Sequence, residues 1–380
     1  MRDEFLLEPG LAFLNHGSFG ACPREVLQEQ RRWQDEMERN PLEFLSRRSA
    51  ALLRDSREQL AAYLGAQADH LVYVPNATTA VNTIAQSLAL KPSDEVLSTS
   101  LEYGACDATW LAHCARQGAH YRPVEIPLPF DPDDFVQRML NAITPRTKLL
   151  FLSHITSITA LILPIAELCR VARERGILTL IDGAHAPGHI ELKLDALGAD
   201  FYTGNCHKWL CAPKGSAFMH VRPEHHEMLV TPVISWGAMN SARHDASTGS
   251  SRLERYFQWQ GTRDISPWLS VPAAIRFQAA RDWPAVRARC HAMVIEAMHG
   301  FSERFDLPPV APDHCFGQMA LLPVPAQDAA VLRERLFNEN RIEAQVTQHA
   351  GRTFVRLCAQ GYTTADEIQR LFDAPALQKS

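Results

Sequence analysis

From residue 71 onward short apolar runs alternate with stretches of helix length, and this alternation limits the chain to very few folds. Leu71-Val72-Tyr73-Val74, Glu95-Val96-Leu97, Lys148-Leu149-Leu150-Phe151-Leu152, Ile177-Leu178-Thr179-Leu180-Ile181 and Ala217-Phe218-Met219 read as buried strands. Between two of them, Pro164 to Gly176 reads as a helix with proline in its first turn and glycine at its end. Strands separated by ten or more helical residues connect through right-handed crossovers. The expectation is an α/β chain with a mostly parallel central sheet covered by helices on both faces. Such sheets bind ligands at the carboxyl ends of their strands.

Both flanks are helical in character. Leu45, Leu52, Leu53, Leu60 and Leu64 form one apolar stripe ahead of Gly65, which reads as a helix cap. After residue 232 the chain is polar and irregular from Trp236 to Arg255, then helical across about 266–304. Apolar runs at 318–323 and 353–358, with helical stretches at 327–338 and 364–373, predict a smaller C-terminal α+β domain. The expected division is an N-terminal segment 1–65, a large domain 66–265 and a small domain 266–380.

Composition excludes several classes. With 38 Lys+Arg against 43 Asp+Glu the net charge is −5, which argues against nucleic-acid binding by bulk charge. There is no apolar run of about 18 residues to span a membrane, and none of signal-peptide length follows Met1-Arg2-Asp3-Glu4-Phe5, so a cytoplasmic location is expected. Nine cysteines without a C-x-x-C pair argue against a disulfide framework and a zinc ribbon. His185 and His189 flank Pro187 in a loop rather than along a helix, and no metal site is expected.

Two residues carry the chemistry. Ile181-Asp182-Gly183-Ala184-His185 ends an apolar strand with a carboxylate, and 26 residues after Asp182 comes Lys208 in Thr203-Gly204-Asn205-Cys206-His207-Lys208-Trp209. Taken singly, Asp182 could cap a helix and Lys208 could be a surface charge. Together, each behind a strand, they suit pyridoxal phosphate. A desolvated lysine amine is neutral often enough to form a Schiff base with the cofactor aldehyde. A carboxylate at the pyridine nitrogen keeps it protonated, so that the ring withdraws electrons.

At these residues the chain resembles the class V aminotransferase-fold pyridoxal phosphate enzymes (fold type I, aspartate aminotransferase-like), in the branch of isopenicillin N epimerase and its relatives. The resemblance also rests on Leu14-Asn15-His16-Gly17-Ser18-Phe19-Gly20, Asn76-Ala77-Thr78-Thr79-Ala80, Glu102-Tyr103-Gly104-Ala105, Ser153-His154-Ile155-Thr156-Ser157, Asp182-Gly183-Ala184-His185-Ala186-Pro187-Gly188 and Gln260-Gly261-Thr262-Arg263-Asp264. It implies catalytic roles for Lys208, Asp182 and Tyr103, with Tyr103 stacked on the cofactor ring. It implies cofactor contacts from Ala77, Thr78, Thr79, Thr156, His185, Thr203 and His207, the first three at a helix N-terminus suited to phosphate. Thr262 would reach the phosphate of a partner subunit, which makes a homodimer with shared sites the expectation. Arg356, in Val355-Arg356-Leu357-Cys358, would clamp the α-carboxylate of an amino-acid substrate, with Asn15 and His16 nearby. The aromatic stretch Tyr256, Phe257 and Trp259, flanked by Arg252, Arg255 and Arg263, has the composition of an interface.

Two positions depart from the family's pattern. Relatives usually carry Ser-x-Thr-Gly where this chain has Ser157-Ile158-Thr159-Ala160, and Ser-x-x-x-Tyr-Asn where it has Leu357-Cys358-Ala359-Gln360-Gly361-Tyr362-Thr363 after Arg356. The resemblance ranks epimerisation at an amino-acid α-carbon first and β-elimination by a C–S lyase second. Neither Cys315 nor Cys358 sits in a loop motif like that of persulfide-forming relatives. A noncatalytic scaffold of the same fold is disfavoured by the joint presence of Asp182, Lys208 and Arg356.

Overall fold

The computed structural model describes residues 1–239, 245–249 and 251–378. Twelve strands lie among them. They are β1 (Ala12–Phe13), β2 (Leu71–Val74), β3 (Glu95–Thr99), β4 (His120–Val124), β5 (Thr147–Ser153), β6 (Leu178–Asp182), β7 (Phe201–Asn205), β8 (Ala217–Val221), β9 (Met319–Val324), β10 (Ile342–Glu343), β11 (Gln345–His349) and β12 (Arg352–Cys358). Seven form one sheet in the order β2-β8-β7-β6-β5-β3-β4, and only β8 runs against the rest. The central strands β5, β7 and β8 are buried apart from Lys148 near the start of β5, as expected of a sheet covered on both faces.

β4 has no counterpart in the sequence reading. It is an edge strand, half exposed, with a proline and an arginine in His120-Tyr121-Arg122-Pro123-Val124. An edge strand needs neither a continuous apolar run nor every ladder donor, so its sequence carries little signal.

After a helix at Arg24–Arg39, the leucine stripe forms the helix Ser49–Leu64 behind a wider turn at Phe44–Arg48, and Gly65 ends it in the left-handed conformation at φ +62°. The helical region after residue 265 is three helices rather than one, Ser266–Leu269, Val271–Ala279 and Trp283–Phe305. Pro267, Pro272 and Pro284 sit in their first turns, where a missing N–H costs nothing. Part of the stretch read as irregular is ordered. Asp245–Thr248 and Arg252–Gln258 are helical, the second started by a Ser251–Glu254 capping box, while residues 240–244 and 250 of that stretch lie outside the described residues.

The C-terminal part is an antiparallel sheet, β11-β12-β9, packed on Trp283–Phe305. The N-terminal segment joins it. β1 pairs with β10, the Cys358 N–H donates to the Leu14 carbonyl, and His16–Phe19 then turns helically toward the end of the main sheet. Two apolar clusters hold it together: one joins one face of the main sheet to the N- and C-terminal parts, and the other covers the opposite face of the sheet.

Candidate active site

The carboxyl ends of β2, β5, β6 and β7 open into a cleft of about 390 Å³. Each strand delivers a polar residue just past its apolar run: Asn76 after β2, Ser153 on β5, Asp182 on β6 and Asn205 on β7. Ser153 pairs with Asp182 in register, so the two side chains are neighbours. Lys208 follows β7 by three residues and enters the same cleft.

The lysine is held on both sides by close backbone contact. Gly20 lies at φ +72°, ψ +163°, a region open essentially to glycine alone, and a Cβ there would stand 2.0 Å from the His207 carbonyl oxygen. On the other side a Cβ at Gly188 would meet the Trp209 carbonyl at 2.3 Å. The Lys208 Nζ lies 3.1 Å from His185 Nε2. The Trp209 indole N–H donates to His185 Nδ1 at 3.2 Å, so the neutral imidazole carries its hydrogen on Nε2, facing the amine. Burial, and then the nearby Arg356 charge, lower the Lys208 pKa to about 8.

Asp182 is 4% exposed. Its Oδ1 accepts the Ala184 N–H at 2.9 Å, and the Cys106 thiol reaches Oδ2 at 3.6 Å. Burial raises its pKa, against the Ala184 bond and the Lys208 charge, which lower it. A second carboxyl lies close behind. Glu102 accepts from Thr99 Oγ1 at 2.6 Å, from the Ser153 N–H at 2.8 Å and from Ser153 Oγ at 2.6 Å, and burial pushes it up to about 8. Near neutral pH Glu102 is therefore mostly protonated, which keeps a second buried negative charge away from Asp182.

At the other wall Asn76 caps the helix Ala77–Ser87, and Ala77 and Thr78 line the cleft. His207 lines it too, with Nδ1 donating to the Ser216 carbonyl at 3.0 Å and burial lowering its pKa to about 4. Tyr103 lines the cleft at 46% exposure and precedes the helix Gly104–Gln117. Arg356, on β12, is 3% exposed behind Ser18 and Ser157. It donates to the Ser157 carbonyl at 2.5 Å, to Asn15 Oδ1 at 3.1 Å and to Ser18 Oγ at 3.0 Å, while its Nε–H has no hydrogen-bond partner. No acidic side chain among the described residues forms an ion pair with it. A buried guanidinium without a counter-ion suits an anionic ligand.

Four of the positions that the resemblance implies are spent on other contacts. His16 is sealed beneath the lysine: Nε2 donates to the Lys208 carbonyl at 2.9 Å, and Nδ1 accepts from the Tyr362 hydroxyl at 2.9 Å and the Ala21 N–H at 3.3 Å. Burial lowers its pKa to about 3, so it is a neutral brace and not a wall of the cleft. Thr79 spends both its N–H and its hydroxyl on the Asn76 side chain. Thr156 closes the turn to Leu161 and bonds Thr159. Thr203 donates to the Phe218 carbonyl. None of these three threonines lines the cleft, and Thr262, expected at a partner's site, is exposed and outside the cleft of its own chain.

Asn205, Ser153, Glu102 and Ser18 were given no role in the sequence. Asn205 Oδ1 accepts the Ala77 N–H at 2.9 Å and ties the helix start to the lysine-bearing loop. The signal for it is the one that marked Asp182, a polar residue ending an apolar strand. Ala160, where relatives usually have glycine, takes φ +62° in the Thr156–Leu161 turn, so the backbone keeps a glycine-like conformation without the glycine.

The fold and the cleft together define a pyridoxal phosphate enzyme of fold type I: a buried lysine of lowered pKa, a carboxylate at a strand end, a helix N-terminus and an unpaired arginine all fit that cofactor. The aminotransferase class-V family model matches residues 18–371, and the chain belongs to that family. It is 39% identical to isopenicillin N epimerase of Streptomyces clavuligerus, over 98% of this chain and 96% of that one. It is 31% identical to a putative L-cysteine desulfhydrase of Oryza sativa subsp. japonica, over 97% and 83% of the two chains. Among solved structures, a cysteine desulfurase of Thermococcus onnurineus superposes with a TM-score of 0.81 at 19% identity, covering 97% and 95% of the chains. The cystine C-S lyase C-DES in complex with cysteine persulfide gives 0.81 at 20%, covering 97% and 98%.

Proposed function

We propose that this enzyme epimerises an amino-acid α-carbon, with isopenicillin N or a compound of that class as substrate. The reading is supported by the near full-length likeness to isopenicillin N epimerase. The observation that carries it is Lys208 in the cleft, with a pKa of about 8, and the counter-ion-free Arg356 just behind the cleft wall at Ser18 and Ser157. Bound pyridoxal phosphate withdraws electrons from the α-carbon and so acidifies its hydrogen. Arg356 holds the α-carboxylate, with Asn15 and Ser18 fixing the guanidinium plane. Lys208 moves the proton on one face. With His16 sealed off, Tyr103 is the residue we assign to the other face. Thr78 and the Asn205 amide would hold the phosphate, with His207 joining them once the phosphate charge keeps its imidazole protonated; the Ala77 N–H stays with Asn205, and Asp182 would hold the pyridine nitrogen. Residues 66–265 carry the cofactor, and segments 1–65 and 266–380 close the substrate side.

A β-eliminating C–S lyase is the second reading, favoured by the desulfhydrase relative. Persulfide transfer has no support: all nine cysteines are buried, and burial raises the Cys315 thiol to about 11. Free cysteines throughout suit a reducing, cytoplasmic location.

We also read the protein as a homodimer. The aromatic stretch near Thr262 gives less exposed surface than its sequence suggests, for Phe257 is buried and Tyr256 lies under Arg252. The apolar surface is instead next to it, where Val230, Val233, Ile234, Trp236 and Met239 are 46–84% exposed. A second copy would cover it.

The test is incubation of the holoenzyme with isopenicillin N in deuterium oxide. Deuterium at the α-carbon and both epimers, without ammonia or keto-acid release, is the expected result. Release of ammonia and keto acid from cysteine derivatives, with no exchange into isopenicillin N, would replace this reading with the lyase.

A further inference from the structure

At the end of the sheet opposite the cleft, three side chains from three separate segments converge. His70 ends the turn Ala68–His70 just before β2, His220 lies on β8, and Asp195 lies in the short helix Leu194–Leu197. The register Leu71↔His220 sets the two histidines side by side, and their rings are 5.9 Å apart. Asp195 is brought in by its backbone, whose N–H donates to the Gly65 carbonyl at 3.1 Å. That contact needs a bare backbone, since a Cβ at Gly65 would stand 2.9 Å from the Lys193 Cα.

Asp195 Oδ1 lies 3.4 Å from His220 Nε2 and 3.8 Å from His70 Nδ1, and the three ligand atoms all fall within 4.8 Å of one another. A tetrahedral zinc ion with bonds of roughly 2.0–2.2 Å has ligand-to-ligand edges of about 3.3–3.6 Å. The three atoms therefore come close to one face of such a tetrahedron, and His70 and Asp195 reach solvent and have room to adjust. A second observation points the same way. His220 is 2% exposed, yet neither ring nitrogen has a well-aligned hydrogen-bond partner: Nε2 has only the long Asp195 contact at 3.4 Å, and Nδ1 has none. A buried imidazole without a well-aligned partner is costly, and an ion on Nε2, shared with Asp195, relieves that cost on one side of the ring. Nearby His226 takes no part through Nε2, which faces the Val221 carbonyl at 3.0 Å.

We propose that His70, Asp195 and His220 bind a divalent transition-metal ion of the zinc class, with water completing the coordination. The ligand set of two imidazoles and one carboxylate suits zinc. The ion clips the connection ahead of β2 to β8 and to the segment after β6, far from the cleft. This revises the expectation of no metal site, because the three ligands are 125 and 25 residues apart and share no spacing motif.

The experiment uses the chelator-stripped holoenzyme, titrated with Zn²⁺ in competition with a chromophoric chelator, and separately with Co²⁺ as a spectroscopic probe. One equivalent of zinc per chain and a tetrahedral-type cobalt spectrum are expected. Asp195→Asn and His70→Gln, at partly exposed positions, should each weaken binding by about tenfold or more while the cofactor absorbance stays unchanged. No zinc bound by the parent enzyme, or binding equally tight in both variants, would overturn the proposal.

Discussion

Lys208 owes its reactivity to its surroundings. A pKa of about 8 leaves roughly one amine in ten unprotonated at pH 7, against a negligible share for an exposed lysine. Asp182 is the complementary case, a buried carboxyl held by one backbone N–H and a thiol. Asp182→Asn keeps the shape and the Ala184 bond but removes the charge. It should retain bound cofactor, seen by absorbance, and lose roughly 100-fold or more in turnover. Near wild-type turnover would make Asp182 a structural residue. Asp182 is legible because it ends an apolar run and so must lie at a strand end, and Lys208 because of its place in the motif 26 residues on. The bracing of Lys208 by His16 is not, because 192 residues separate the partners and no local pattern records such a contact.

At the scale of elements, the crossing of the N-terminal segment over the lysine loop is the most sensitive feature. It depends on Gly20. Gly20→Ala should cost about 3 kcal/mol or more in thermal or denaturant unfolding and lower cofactor occupancy, because strain and collision add. Gly10→Ala, at φ +76° with no atom within 4 Å of the added Cβ, should cost only about 1–2 kcal/mol. Equal effects would mean that the Gly20 contact does not shape the loop. The main-sheet strands other than β4 were readable from apolar runs or from their place ahead of a motif. Helix breaks at Pro267, Pro272 and Pro284 were underread, because proline in a first turn marks a start as much as a stop.

At the scale of the whole molecule, the proposed homodimer is tested through Thr262. Thr262 is exposed and stands away from the cleft of its own chain. If it serves a partner's phosphate, mixing inactive Lys208→Ala protein with an impaired Thr262→Ala variant should restore activity, since one site of each mixed dimer combines two intact halves. Tagged co-purification checks that subunits exchange. Exchange without restored activity would confine Thr262 to its own subunit. Periodicity carries no sign of a second chain; the sequence points to one through the resemblance around Gly261-Thr262 and through the interface-like composition of residues 252–263.

Everything above depends on Lys208 being the residue that bonds the cofactor. Borohydride reduction of the purified yellow holoenzyme, followed by peptide mapping, tests this most directly. The account predicts a single reduced pyridoxyl adduct on the peptide containing His207 and Lys208. An adduct on Lys214 or another lysine, or no adduct, would contradict it.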